Sequence, residues 1–385
     1  MYSPSLEILL KSIKHGTENP SPLKKQMDVP SGLPFKLFPT LNKQNIVNKK
    51  IVVIGNSSVV EILLSKMSKV NGLILYYYGD LTCTNSVKKI EKDNLNSVSD
   101  VDIFIVFGVE NIKQVNGAKL YLILEKGCGL HLNTIDTVNR DVDRVYVFSD
   151  FFKNDLIKNG IEKPIHVIKL GIGDVKDGLG KEHLALGKEH FALGKDRSDL
   201  ALTDNNFVIV CPKSNRIDIA LMAFAEFISM YPDLPCVLIC CQIQKFALDI
   251  FKCELVQKGL PVHLHIHKVY FIEKVELAYG VADVGLHTDD EDKVRFDFLE
   301  FISFGKQQIV PKYGFYSQYA LPNNDIMVEI NTKMYNVCEI GLGLRYSVDP
   351  KMLCESLKRA FDNRDKKPVE RNWGPWSDDF IKSLN

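Results

Sequence analysis

The chain has no excess of charge of either sign. Its 385 residues carry 48 Lys and Arg against 48 Asp and Glu, so no net field favours nucleic acid or an anionic membrane as a partner. Long apolar runs are also missing. The longest, such as 72–78 and 207–211, fall far short of the ~20 residues needed to span a bilayer. The first residues, MYSPSLEILLKSIKHG, lack the extended apolar core of a secretory signal. A cytoplasmic protein without a transmembrane segment is the expectation. The nine cysteines include no CxxC pair, and Cys240 and Cys241 adjoin inside an apolar stretch. Reduced, buried thiols acting as small hydrophobes fit that pattern better than a zinc site or a disulfide scaffold. No GxGxxG follows the first apolar run, only Gly55-Asn56-Ser57-Ser58, so a dinucleotide cofactor has no support.

What is present is a succession of short, continuous apolar runs. They fall at 51–54, 73–78, 103–107, 120–124, 145–148 and 166–170, with helical or polar segments between most of them. Continuous rather than alternating apolar runs mark strands covered on both faces. Strand and helix in alternation predict a parallel α/β sheet. A second series starts at 207–211, continues through a strong amphipathic helix over 217–231, and adds strands at 237–241, 262–271, 284–287 and 308–310. A helix at 350–361 and a tail holding Trp373 and Trp376 follow. A length of 385 residues also suggests two cores rather than one. The expected division is a leader at 1–45, a first domain at 46–172, a linker at 173–205, a second domain at 206–360 and a helical tail at 361–385. The linker contains LGKEHLA-LGKEHFA-LGKD, a seven-residue repeat. It carries a glycine in each unit and is too short for a coiled coil, which suggests an exposed insert. His183 and His190 recur in it, and His263, His265 and His267 alternate farther on. The alternating set has no carboxylate or thiol at ligand spacing, and metal binding by the two repeat histidines is the minor alternative to a plain insert, so no metal site is expected.

Three segments together resemble the family 4 glycosyltransferases of the GT-B architecture. They are VYVFSDFFKNDLIKNGIEKPIHVIKLGI at 145–172, FVIVCPKSNRIDIALMAFAEFISMYPDLPCVLI at 207–239, and VELAYGVADVGLHTDDEDKVRFDFLEFISFGKQQIVPKYG at 275–314. The resemblance implies two Rossmann-like domains with parallel sheets facing across a cleft. The first would be the acceptor side and the second would bind the donor. It implies transfer of a hexose from a nucleoside-diphosphate sugar to a glycan, a protein or a small hydroxylated molecule, with retention at the anomeric carbon. No metal or other cofactor is implied, because basic side chains and a helix terminus take up the leaving-group charge.

Matched position by position, Glu300 falls where the family's glutamate holds the nucleotide ribose, and a carboxylate suits a pair of vicinal hydroxyls. Asp292, eight residues earlier, falls on the carboxylate that meets the transferred sugar. The family places two glycines between them; here Lys293 and Arg295 occupy those positions, with Val294 between. Ser214 and Asn215 stand at the family's Arg-Lys pair, and Lys213 and Arg216 flank them as candidate diphosphate ligands. Gly55 and Asn56 correspond to the acceptor-side turn, and His131 lies on an acceptor-side loop as a candidate general base. Plainer readings stand beside these: a surface glutamate at 300, a solvated acidic turn at 289–292, an Arg216–Asp218 ion pair and an ordinary loop histidine at 131. The altered glycine turn also leaves open a scaffold that binds or assembles without catalysis. Asp290-x-Asp292 matches a short metal-binding DxD pattern, which belongs to a different fold from this two-sheet sequence.

Overall fold

The computed structural model describes residues 48–81, 87–90, 98–114, 118–127, 132–170, 197–212, 214–241, 252–253, 256, 268–272, 275–290, 292–303, 305–321, 323–338 and 341–364. Among them two wholly parallel sheets form, so the doubly wound α/β architecture read from the apolar runs is present.

The first sheet contains β1 (Lys50–Ile54), β2 (Ile74–Tyr78), β3 (Lys88–Lys89), β4 (Ile103–Phe107), β5 (Lys119–Ile123), β7 (Arg144–Val147) and β8 (Ile165–Val167), in the order β3-β2-β1-β4-β5-β7-β8. Its helices are α1 (Ser58–Met67), α2 (Leu132–Asp141) and α3 (Asp150–Lys158), and a two-residue strand, β6 (Lys126–Gly127), follows β5. The period-2 geometry of β1 explains the layering. Ile51 and Val53 join the core with Val59 and Leu63 of α1. Val52 and Ile54 join the opposite one with Val138 of α2 and Leu156 of α3. Helix α3 starts where it does because Ser149 caps it, its hydroxyl accepting from the Phe152 N–H at 3.1 Å.

The second sheet contains β9 (Phe207–Cys211), β10 (Cys236–Cys241), β11 (Val269–Ile272), β12 (Val284–Leu286), β14 (Gln307–Pro311) and β15 (Ile326–Val328), in the order β11-β10-β9-β12-β14-β15. Around it lie α4 (Ile217–Met230), α5 (Val275–Val281), α6 (Phe296–Ser303), α7 (Gly314–Tyr319) and α8 (Pro350–Asp362). Phe207, Ile209 and Cys211 pack with Phe224, Phe227, Leu353 and Leu357. Val208 and Val210 pack with Ala278 and Val281 on the other face. Asp349 caps α8 through the Lys351 N–H at 2.9 Å, with Pro350 in the first turn.

Two further pairings lie outside the sheets. One is an antiparallel hairpin of β16 (Ile330–Cys338) and β17 (Gly341–Val348). The other joins the lobes: β13 (Asp292–Lys293) runs antiparallel to β6, and the Val294 N–H donates to the Glu125 carbonyl at 3.0 Å. The lobes meet elsewhere too. The Asp150 N–H donates to Gln318 Oε1 at 2.8 Å, and the Tyr319 hydroxyl accepts from the Leu170 N–H at 2.6 Å. The strand expected over 262–271 is described only from Val269, where β11 begins. The leader, the repeat, His183, His190, His263, His265, His267 and both tryptophans lie outside the described residues. No described helix is long and apolar enough to cross a membrane.

Candidate functional site

In each sheet the strand order reverses once, between β1 and β4 in the first and between β9 and β12 in the second. Crevices in open α/β sheets form beyond the carboxyl ends of the strands at such reversals, because the chain leaves in opposite directions on the two sides. Two candidate crevices follow.

At the second reversal, residues 214–216 follow β9 and residues 287–290 follow β12. The two turns are stitched together. Ser214 and Thr288 share a hydroxyl hydrogen bond of 2.9 Å, and the Thr288 hydroxyl donates to the Arg216 carbonyl, also at 2.9 Å. The Asn215 N–H donates to Asp289 at 3.3 Å, and its amide Nδ2 to Asp290 at 2.5 Å. The acidic run is therefore not a solvated turn at these two positions, since Asp289 and Asp290 are both buried. Buried carboxylates require partners, and Asp289 has several. The Arg295 guanidinium pairs with it directly, the Tyr316 hydroxyl donates to it at 3.1 Å, and the Tyr313 hydroxyl donates to its carbonyl at 2.5 Å. Burial pushes the Asp289 carboxyl above its ordinary value, against the pull of Arg295 and Lys293. Arg295 is held charged. Burial disfavours its charge, but Tyr316, Asp297 and Asp289 outweigh that and raise its pKa.

The expected site residues take these positions. Arg216 is the N-cap residue of α4 without a side-chain capping bond. Its guanidinium forks onto Asp218 at 2.7 and 3.0 Å and stands 3.9 Å from Asp290. The Arg216–Asp218 ion pair is thus present, and Arg216 keeps a quarter of its side chain exposed. Lys293 approaches Asp289 at 4.0 Å. The backbone of Asp292 and Lys293 forms β13, with Val294 next to it. Glu300 lies on α6, half-buried, and accepts from the Tyr279 hydroxyl on α5 at 2.8 Å. Burial, then the Glu300 charge, raises the Tyr279 pKa well above its usual value, so the phenol stays a donor. Lys213 and His131 lie outside the described residues, as does the side chain of Asp292.

At the first reversal lies an open cavity of about 440 Å³. Gly55 and Asn56 line it, together with Ser57, Tyr78, Phe107, Glu110 and Glu125. Gly55 has φ +145, and a Cβ there would lie 2.6 Å from Phe107 Cβ, so only glycine lets the strand end turn this closely. Asn56 is held by its own neighbours. Its Oδ1 accepts from the Tyr77 hydroxyl at 2.8 Å and from the Asp80 N–H at 2.6 Å, and its Nδ2 donates to Asp80 at 2.9 Å.

The sequence reading passed over Asp289, Tyr313 and Tyr316 in one crevice, and Ser57, Glu110 and Glu125 in the other. For the two glutamates a signal existed: each stands within three residues of the carboxyl end of an apolar strand. Among the described residues, no group of three or more His, Cys, Asp or Glu is placed to hold a metal.

No family model matches the sequence, and no curated protein matches it significantly. Solved structures do match in fold. The N-terminal domain of a trehalose-6-phosphate phosphatase from Candida albicans aligns with a TM-score of 0.60 at 12% identity, over 90% of this chain and 98% of that one. HepE from Anabaena, in complex with UDP, aligns with a TM-score of 0.59 at 12% identity, over 87% and 99% of the two chains. A UDP-forming trehalose-phosphate synthase from Burkholderia xenovorans aligns with a TM-score of 0.59 at 11% identity, over 88% and 99%. Identities this low speak for the fold alone, and the fold is GT-B: two Rossmann-like lobes, each built on a parallel sheet.

Proposed function

We propose that this chain is a nucleotide-sugar-dependent glycosyltransferase. It would move a hexose with retention from a nucleoside-diphosphate donor on the second lobe to a hydroxylated acceptor on the first. One observation carries the reading. β6 follows β5, β13 follows β12, and the two pair antiparallel, so the carboxyl-end loops of both sheets meet at one junction. Transfer requires two reactants held together, and this junction brings the two crevices side by side. The UDP bound by HepE and the UDP released by the trehalose-phosphate synthase favour uridine diphosphate as the leaving group.

In this reading Arg216, at the positive end of the 14-residue helix α4, takes the charge of the departing diphosphate with Lys213 beside it. Lys293, Val294 and Arg295 border the donor. Asp292 meets the sugar hydroxyls and Glu300 the ribose diol. Gly55, Asn56 and His131 face the acceptor. Preorganised cations do the electrostatic work, and no metal is required.

The test is thermal shift with UDP-glucose, UDP-N-acetylglucosamine and GDP-mannose. At a hundredfold excess over Kd a true donor stabilises the native chain by about 2.7 kcal/mol. At least one should raise the melting temperature and be slowly hydrolysed without acceptor, and Glu300→Ala should lose the response. A mutant that responds as the parent does removes Glu300 from the site.

A second reading, a GT-B scaffold that binds or assembles without transfer, is favoured by Arg295. It stands where the family keeps a glycine, and its guanidinium is already engaged by Asp289. Such a protein gives neither shift nor hydrolysis.

A further inference from the structure

The cavity at the first reversal has a chemistry that its position does not predict. Its volume of about 440 Å³ suits a small-molecule ligand. At this point of a doubly wound sheet, the amino end of the first helix ordinarily receives an anion. Helix α1 does begin here, but the chain supplies the anion itself. The Glu125 carboxylate accepts from the Ser57 hydroxyl, and Ser57 Oγ in turn accepts from the Val60 N–H at 3.2 Å. Rim donors are engaged as well. The Gly55 N–H bonds to the Tyr78 carbonyl, the Gly108 N–H to that of Ile123, and Asn111 Nδ2 to the Phe107 carbonyl.

A second carboxylate, Glu110, also lines the cavity. Gly108 has φ +81, and a Cβ there would lie 2.2 Å from Glu110 Oε1, so the glycine leaves room for that carboxylate. Asp80, bonded to Asn56, adds a third negative charge beside the wall. Among the described lining residues there is no Lys, Arg or His. The wall thus offers acceptors to hydroxyl or ammonium donors, with Tyr78 and Phe107 as its apolar faces, and offers a phosphate little but like charge.

We propose that this cavity binds a hydroxyl-rich ligand of monosaccharide size, neutral or amine-bearing, and rejects its phosphorylated form. The proposal deepens the acceptor-side reading of the first lobe and rests on it. It makes the acceptor a free sugar or amino sugar rather than a sugar phosphate.

Calorimetric titration of the full chain with glucose, glucosamine and glucose 6-phosphate, with no nucleotide present, tests it. Glucose or glucosamine should bind at least tenfold more tightly than glucose 6-phosphate, about 1.4 kcal/mol. In Glu110→Gln the glucosamine affinity should fall several-fold and the discrimination against phosphate should shrink below threefold. Glu110 is exposed, so this variant should fold, and an unchanged melting temperature verifies that. Three outcomes overturn the proposal: glucose 6-phosphate binding as tightly as glucose, discrimination unchanged in Glu110→Gln, or none of the three sugars binding. Because no nucleotide is added, each of these is separable from failure of the donor response.

Discussion

The two lobes repeat one topology and treat their crevices in opposite ways. The order β3-β2-β1-β4-β5 in the first matches β11-β10-β9-β12-β14 in the second. Beyond β1 and β4 lies an open cavity whose charged lining residues, among those described, are carboxylates alone. Beyond β9 and β12 the turns bond to each other, and Asp289 of the second turn forms a buried ion pair with Arg295. Strand order decides where a crevice falls; the side chains that follow each strand decide whether it stays open and which charge it shows. Gly55 and Gly108 directly follow β1 and β4 in the first lobe, whereas Pro212 and His287 stand at the corresponding places after β9 and β12 in the second.

The difference breaks most sharply at Arg295. Replacing it by Met leaves the Asp289 carboxylate, whose side chain is 0% exposed, without its guanidinium. Losing one partner of a buried pair costs about 3–5 kcal/mol. Urea denaturation should show that loss, and Asp289→Asn added to Arg295→Met should recover much of it. A loss of less than about 1 kcal/mol in the single variant would mean that the buried pair contributes little to the stability of the second lobe.

Next in size is a pH effect confined to the second lobe. His287 is buried after β12 and bonded to Gln308 at 2.9 Å. Burial pushes its pKa down to about 4 from 6.5, with the Arg295 charge adding to the fall and the Gln308 bond opposing it. Above pH 6.5 the ring is neutral in both states and its contribution is whole. Between 6.5 and about 4 the unfolded chain takes up a proton that the folded chain refuses, so stability falls as pH drops. The full shift amounts to roughly 3 kcal/mol. The urea midpoint of His287→Gln should fall less between pH 7 and pH 4 than that of the parent, and equal slopes would contradict the assignment.

The smallest effect belongs to the first lobe. Ser57→Ala removes the hydroxyl that caps α1 and holds Glu125, and should cost about 1 kcal/mol in the same measurement. An effect as large as that of Arg295→Met would mean that the Ser57–Glu125 contact stabilises the first lobe as strongly as the buried ion pair stabilises the second.

Both sheets were legible in the sequence because their strands are continuous apolar runs, such as Lys50–Ile54 and Phe207–Cys211, buried on both faces. Helices α4 and α8 were legible from their periodicity, and the observed ends at Met230 and Asp362 lie one residue from those expected. The β16–β17 hairpin was not. Its segments, INTKMYNVC and GLGLRYSV, mix polar and apolar residues and present no continuous run. The β13–β6 pairing was beyond reach for another reason. Each strand is two residues long, and its partner lies in the other lobe, so nothing local encodes it. At the site, Arg216, Arg295, Gly55 and Asn56 were named through the resemblance to the glycosyltransferase family, matched position by position. That match did not distinguish a solvated acidic run from Asp289 and Asp290 buried among partners, because that depends on Tyr313, Tyr316 and Arg295 arriving from later segments.

One hydrophobic cluster runs without interruption from Ile51, Val53 and Tyr77 of the first lobe to Phe298, Leu299, Phe315 and Tyr319 of the second. Hinge opening would tear that seam and expose large apolar side chains to water. Two architectural halves joined by such a seam are expected to melt in one cooperative transition.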